Sequence, residues 1–229
     1  METQPDPALV LFDVDETLVH TGGAGARSWT RAFQKLYGVA ADIGDHSSAG
    51  ETDPEVARAT FRGVLNREPH KAELALLYAE YLSAISEEIY SSTDYHVLAG
   101  ARTTLETLRA RGVLLGIVSG AMEGSARIKL TPANLNRFFL FGGYGTDSDV
   151  RDELVLTAIS RARRLQEIPT AQMVYIVGDT PHDIAAARAA GAVSVAVASG
   201  HFTVDQLTAA GADYVLESLQ EPFPTHISA

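Results

Sequence analysis

The chain has no cysteine. That absence excludes disulfides, thiolate zinc sites, iron–sulfur clusters and a cysteine nucleophile. Positive charge is scarce, with 18 Lys and Arg against 29 Asp and Glu and a formal net charge of −11 at pH 7. An acidic surface of this kind repels nucleic acid and anionic membranes, so neither is expected as a partner. It also repels phosphate esters, so any phosphate chemistry requires a local cation that reverses the field. No apolar run is long enough to span a bilayer; residues 185–199 come nearest and are interrupted by Arg188 and Gly191. The METQPDPA start has no basic residue followed by an apolar stretch, so a secretory signal is not expected and a cytoplasmic location is. The seven histidines form no H-x-H or H-E-x-x-H spacing, which argues against a histidine metal site. Internal repeats and low-complexity tracts are also missing.

What the chain does have is a 46 % hydrophobic fraction over 229 residues, enough for a substantial core. Part of it falls in short continuous apolar runs, at residues 9–12, 113–118, 173–177 and 193–198. Runs of this length suit strands buried on both faces, as in a parallel sheet. Each is followed by small or polar residues and then by a helical pattern, which predicts βαβ units and an α/β fold with a doubly wound parallel sheet. In such sheets ligands bind outside the carboxyl ends of the strands. Asp13, Ser119 and Asp179 stand at three of these ends.

Residues 21–95 read differently. Trp29, Ala32, Phe33, Leu36 and Tyr37 follow helical spacing, as do Leu74, Leu77, Tyr78, Tyr81, Leu82, Ile85 and Ile89. Asp53-Pro54 reads as an N-cap followed by proline at the first helical position. The expected organisation is a core from residues 1–20 and 96–229, with residues 21–95 as a helical cap over the sheet's carboxyl end. Thr21-Gly22-Gly23-Ala24-Gly25 departs from the dinucleotide pattern and reads as the junction between them.

The chemistry concentrates in two motifs. Asp13-x-Asp15-x-Thr17 puts two carboxylates on one side of a strand end, which is costly unless a cation lies between them or one is protonated. A solvated acidic turn is the alternative. In Gly178-Asp179-Thr180-Pro181-His182-Asp183, Pro181 suits the first helical position, with Thr180 as N-cap and Asp183 close to a capping box. That leaves Asp179 unexplained at the end of a buried strand. A hard dication such as Mg²⁺, shared with Asp13, would account for it.

FDVDETL, VSG and VGDTPHD, in this order at strand ends and with a helical insert after the first, resemble the haloacid dehalogenase superfamily. The insert is similar to its C1-type cap, and the whole to phosphoglycolate phosphatase-like members. The resemblance spans nearly the whole chain and extends to the closing SGHFTVDQLTAAGADYVLESL. It implies a Rossmann-like core and a magnesium-dependent phosphatase acting on a small phosphorylated metabolite. Asp13 would be the nucleophile, forming an aspartyl phosphate, and Asp15 the general acid and base. Asp13, Asp179 and the backbone carbonyl of Asp15 would be the metal ligands, with Asp183 orienting metal-bound water. Ser119 and the Gly120 amide would bind phosphoryl oxygens. Thr17, Arg27 and Thr52 are further candidates for substrate contact.

The family pattern has glycine where this chain has Glu16. It also has a lysine where Arg151 stands; Arg151 is expected to balance the nucleophile and phosphate, with Lys129 as the rival. Asp15 favours phosphoester hydrolysis over carbon–halogen cleavage, in which the leaving halide needs no proton. A sugar phosphomutase, a dehalogenase or phosphonatase, and a non-catalytic binding protein that retains the fold are the alternatives. The oligomeric state is open between monomer and homodimer.

Overall fold

The computed structural model describes residues 7–46, 48, 50–165, 167–168 and 170–224. The METQPDPA segment lies outside these residues except for its last two. The strands are β1 (Leu9–Phe12), β2 (Val19–His20), β3 (His96–Val97), β4 (Leu114–Ser119), β5 (Gly142–Tyr144), β6 (Val174–Gly178), β7 (Val193–Val197) and β8 (Tyr214–Leu216). The α-helices are α1 (Ala24–Tyr37), α2 (Asp53–Leu65), α3 (Lys71–Ser91), α4 (Ala101–Ala110), α5 (Glu123–Leu130), α6 (Arg151–Ala162), α7 (Pro181–Ala189) and α8 (Val204–Ala209). No helix among the described residues is long and apolar enough to cross a membrane.

Six strands form one sheet in the order β5-β4-β1-β6-β7-β8, and every pairing in it is parallel. The apolar runs form strands because both faces are covered. On β1, Val10 and Phe12 enter one apolar layer with Leu105 and Leu108 of α4 and Leu130 of α5. Leu9 and Leu11 enter the opposite layer with Leu154, Val155 and Ile159 of α6. Alternate residues therefore reach opposite faces and all are buried, which is the reason for a continuous rather than alternating pattern.

β1 lies between β4 and β6, with Phe12 level with Ile117 and Val177. The chain order reverses direction across the sheet at β1. This switch point brings Asp13, Ser119 and Asp179 to one crevice.

The chain leaves the sheet after β1 and enters α1 through β2, then returns through β3, which pairs antiparallel with β2. Between these two short strands α1, α2 and α3 pack on an apolar cluster of their own. Trp29 stacks on Tyr81 with ring centroids 3.9 Å apart and planes 8° from parallel. Phe33, Phe61, Leu77 and Ile85 complete it, and Met122 at the start of α5 joins from the sheet side. The helical periodicity of residues 29–37 and 74–89 falls in α1 and α3. Asp53, read as an N-cap, is instead the first residue of α2. Thr52 is the cap, its hydroxyl accepting from the Glu55 amide in a capping box.

Candidate active site

Asp13, the residue after β1, is 7 % exposed. One carboxylate oxygen accepts from the Val14 amide at 2.8 Å. The other accepts from Arg151 Nη2 at 3.0 Å. Burial pushes the Asp13 carboxyl up to about 6; Arg151 opposes this, while Asp183 and Asp15 add to it.

Arg151 is the first residue of α6 and is buried. Besides Asp13 it donates to Asp183 Oδ1 from Nη2 at 2.5 Å and from Nε at 3.1 Å, and to the Gly50 carbonyl at 3.1 Å. Burial opposes its charge, but Asp183 and then Asp13 outweigh it and hold the guanidinium pKa above its ordinary value. The other oxygen of Asp183 accepts from the Thr180 amide at 3.1 Å and from its hydroxyl at 2.7 Å. Asp183 thus closes the helix cap read from the sequence and also aligns Arg151.

Asp179, just past β6, is 3 % exposed. Its carboxylate accepts from the Thr17 hydroxyl at a long 3.4 Å. Burial, then Asp183 and Asp13, push its carboxyl up to about 9. Carboxylate oxygens of Asp13, Asp179 and Asp183 lie within 4.8 Å of one another. Three buried acids this close repel unless a proton or a cation joins them. An all-oxygen, carboxylate-rich donor set fits a hard divalent ion such as Mg²⁺.

Asp15 takes the second cation. Lys129 Nζ on α5 donates to Asp15 Oδ2 at 2.6 Å, with the lysine side chain 7 % exposed and the aspartate 41 %. Burial alone would lower the Lys129 ammonium pKa, but Asp15, Tyr81 and Asp53 raise it above its ordinary value. Arg151 and Lys129 were rivals for one position; both are present, Arg151 on Asp13 and Lys129 on Asp15.

Glu16 occupies the left-handed region with φ 54°, a conformation glycine adopts without strain. Its carbonyl accepts from the Ser199 hydroxyl at 2.5 Å and its carboxylate pairs with His20 at 2.7 Å. These contacts hold a strained residue in place. Ser119 is buried at the end of β4, and its hydroxyl lowers the Asp13 pKa.

Asp13, Asp15, Glu16, Ser119, Lys129, Arg151 and Asp179 line one cavity of about 250 Å³, shared with Gly50, Glu51, Asp53, Gly120, Ala121, Thr180 and His201. Three residues expected to contact substrate are not among those lining this cavity. Arg27 lies elsewhere, bonded to the Gly22 carbonyl at 2.6 Å and to Glu88 of α3 at 3.1 Å on the solvent side of α1. Thr52 spends its hydroxyl on the α2 cap. Thr17 is buried, with its hydroxyl on Asp179.

Asp53 also differs from its expected part as an N-cap. Its carboxylate accepts from the Met122 amide and the Ser125 hydroxyl, both at 2.8 Å, joining α2 to the start of α5. Burial raises its pKa, with Lys129 opposing. Glu51 and His201 carried no motif, and sequence reasoning missed both.

The family model for haloacid dehalogenase-like hydrolases matches residues 10–197, and the chain belongs to that family. Among its relatives, the probable phosphatase IndB of Dickeya dadantii is 25 % identical over 216 residues, covering 93 % of this chain and 90 % of that protein. A phosphoglycolate phosphatase of Pseudomonas fluorescens is 27 % identical over 201 residues, covering 85 % and 71 %. The crystal structure of CbbY from Rhodobacter sphaeroides in complex with phosphate shares the fold, with TM-score 0.71 and 16 % identity over 94 % of this chain and 96 % of that one.

Proposed function

We propose that this haloacid dehalogenase-like hydrolase is a magnesium-dependent phosphatase that cleaves a small phosphorylated metabolite through an aspartyl phosphate. The observation that carries the reading is the pairing of Asp13 with Arg151 at 3.0 Å beside Asp179, with Asp15 two residues along the chain. Mg²⁺, held by Asp13, Asp179 and the Asp15 carbonyl, would neutralise charge on the phosphoryl oxygens.

The residues divide the work. Arg151 keeps Asp13 ionised against its burial and offers N–H donors to a phosphoryl group. Asp13 attacks phosphorus, forming the P–O bond to its own carboxylate as the ester P–O bond breaks. Asp15 gives a proton to the leaving oxygen, then removes one from the water that cleaves the acyl phosphate and returns Asp13. Lys129, beside Asp15, counters negative charge at that carboxylate between the two steps. The Ser119 hydroxyl and the Gly120 amide supply donors to the phosphoryl oxygens. Residues 21–95 act as a cap, since their segment 50–53 forms one wall of the cavity. At about 250 Å³ the cavity falls below the ~300–1,000 Å³ of drug-sized ligand clefts, which favours a small ester over a phosphoprotein.

The test is phosphate release from p-nitrophenyl phosphate and a panel of phosphorylated metabolites. Release is expected with Mg²⁺, is expected to stop on chelation, and is expected to fall by on the order of 10⁴-fold or more in Asp13→Asn. No release from any ester with Mg²⁺ present would defeat the proposal.

A further inference from the structure

The cavity's charges are unevenly placed. Its described lining holds six carboxylates, Asp13, Asp15, Glu16, Glu51, Asp53 and Asp179, against two permanent cations, Arg151 and Lys129. Both cations are committed at the phosphoryl end, Arg151 to Asp13 and Asp183 and Lys129 to Asp15. Glu16 is turned to His20 and Asp53 to Met122 and Ser125. Asp179 accepts from the Thr17 hydroxyl. Glu51 differs, because its carboxylate makes neither a hydrogen bond nor an ion pair among the described residues.

Glu51 is also fixed in place. The Asp53 amide donates to the Gly120 carbonyl at 2.8 Å. The backbone of Glu51 then lies so close to Gly120 that a Cβ there would stand 2.6 Å from the Glu51 carbonyl oxygen. The segment is therefore pressed onto the loop that follows β4, and only a residue without a side chain at 120 permits it. Two further arginines, Arg58 and Arg62, line a separate depression of the helical segment together with Glu51 and Glu55. There Arg58 pairs with Asp149 and Arg62 with Glu68.

A substrate must place its phosphoryl group at Asp13 and its leaving group toward this outer wall. A second anionic group would meet Glu51 with no uncommitted arginine or lysine among the described lining residues. We propose, building on the phosphatase reading, that Glu51 selects phosphomonoesters whose leaving group is not anionic and carries hydrogen-bond donors, an ammonium or hydroxyls, that pair with its carboxylate. Like-charge juxtaposition acts mainly by rejecting wrong partners, and a carboxylate-bearing leaving group is rejected here.

The experiment measures kcat/KM of the magnesium-loaded enzyme on three esters: phosphoethanolamine, glycerol 2-phosphate and 2-phosphoglycolate. The carboxylate-bearing ester is expected to be at least about tenfold poorer than the better of the other two, and their order tells ammonium from hydroxyl recognition. Glu51→Gln is expected to narrow that ratio by about tenfold, and Glu51→Lys to narrow it further or invert it. The change is expected chiefly in KM. Each ratio is taken within one protein, so a partly unfolded preparation does not alter it. Turnover with 2-phosphoglycolate as the best ester, or a ratio unmoved by both substitutions, overturns the inference and leaves the phosphatase reading standing. Absence of release from all three and from p-nitrophenyl phosphate overturns both.

Discussion

The sheet and the helical segment 21–95 are held together by different means. The sheet's two faces are mainly aliphatic, its strands packed between two layers of helices, with carboxylates emerging at the buried strand ends. The helical segment is aromatic inside, with Trp29 on Tyr81 and with Phe61 edge-on to Tyr37 at 5.2 Å between centroids. It meets the sheet partly through apolar side chains, Met122 and Ile128. The rest of the junction is polar. Asp53 reaches α5, Arg58 pairs with Asp149, and the Gly50 carbonyl receives Arg151. The groups proposed to make and break bonds thus sit at the ends of buried strands. Glu51, proposed to face the leaving group, lies outside the aromatic cluster.

The strongest way to break this division is at the two cations. Arg151→Ala leaves Asp13 and Asp183 buried without their shared partner. It is expected to cost about 3–5 kcal/mol of stability and about 10²–10³-fold in kcat. Lys129→Ala frees a carboxylate that is 41 % exposed, so a smaller loss of both is expected. Urea unfolding and steady-state kinetics on the two variants decide between them. Loss of turnover confined to Lys129→Ala would reverse the assignment.

On the helical side, Trp29→Ala removes the largest ring of the aromatic cluster. A loss of about 3–5 kcal/mol is expected from urea unfolding followed by circular dichroism. A loss below about 1 kcal/mol would mean that the segment does not depend on its aromatic interior.

The smallest effect concerns the polar junction. Burial raises the Asp53 carboxyl, so the folded protein keeps a proton that the unfolded chain releases near pH 4. That stabilising contribution is complete only below the unfolded value and is lost as pH rises through the folded one. Asn in its place still accepts from Met122 and Ser125 without carrying charge. Asp53→Asn is therefore expected to gain stability relative to wild type as pH rises from about 4 to neutrality. A stability difference that does not vary with pH would argue against this account.

These two regions were also unequally legible in the sequence. Continuous apolar runs identified β1, β4, β6 and β7 to within a residue at each end, and the motifs at their ends located Asp13, Ser119 and Asp179. β5 escaped because Gly142-Gly143-Tyr144 is three residues at a sheet edge with neither run nor alternation. The helical periodicity located α1 and α3, but not the β2–β3 ribbon beneath them, which is two residues per strand. Arg27 looks available from its place next to a glycine-rich junction, but it is bonded to Glu88, 61 residues away, a partner that no local pattern shows. Glu51 and Asp53 depend on contacts with residues 120–125, which no local pattern encodes. The left-handed backbone at Glu16 accounts for the glycine that the family pattern carries there.

The chain contains a single tryptophan, and Trp29 is 1 % exposed and stacked face to face on Tyr81, within the helical segment. Its fluorescence is therefore a spectroscopic window on that segment alone, silent about the sheet. Emission and far-ultraviolet dichroism, recorded on the same sample, separate the melting of segment 21–95 from the melting of the whole.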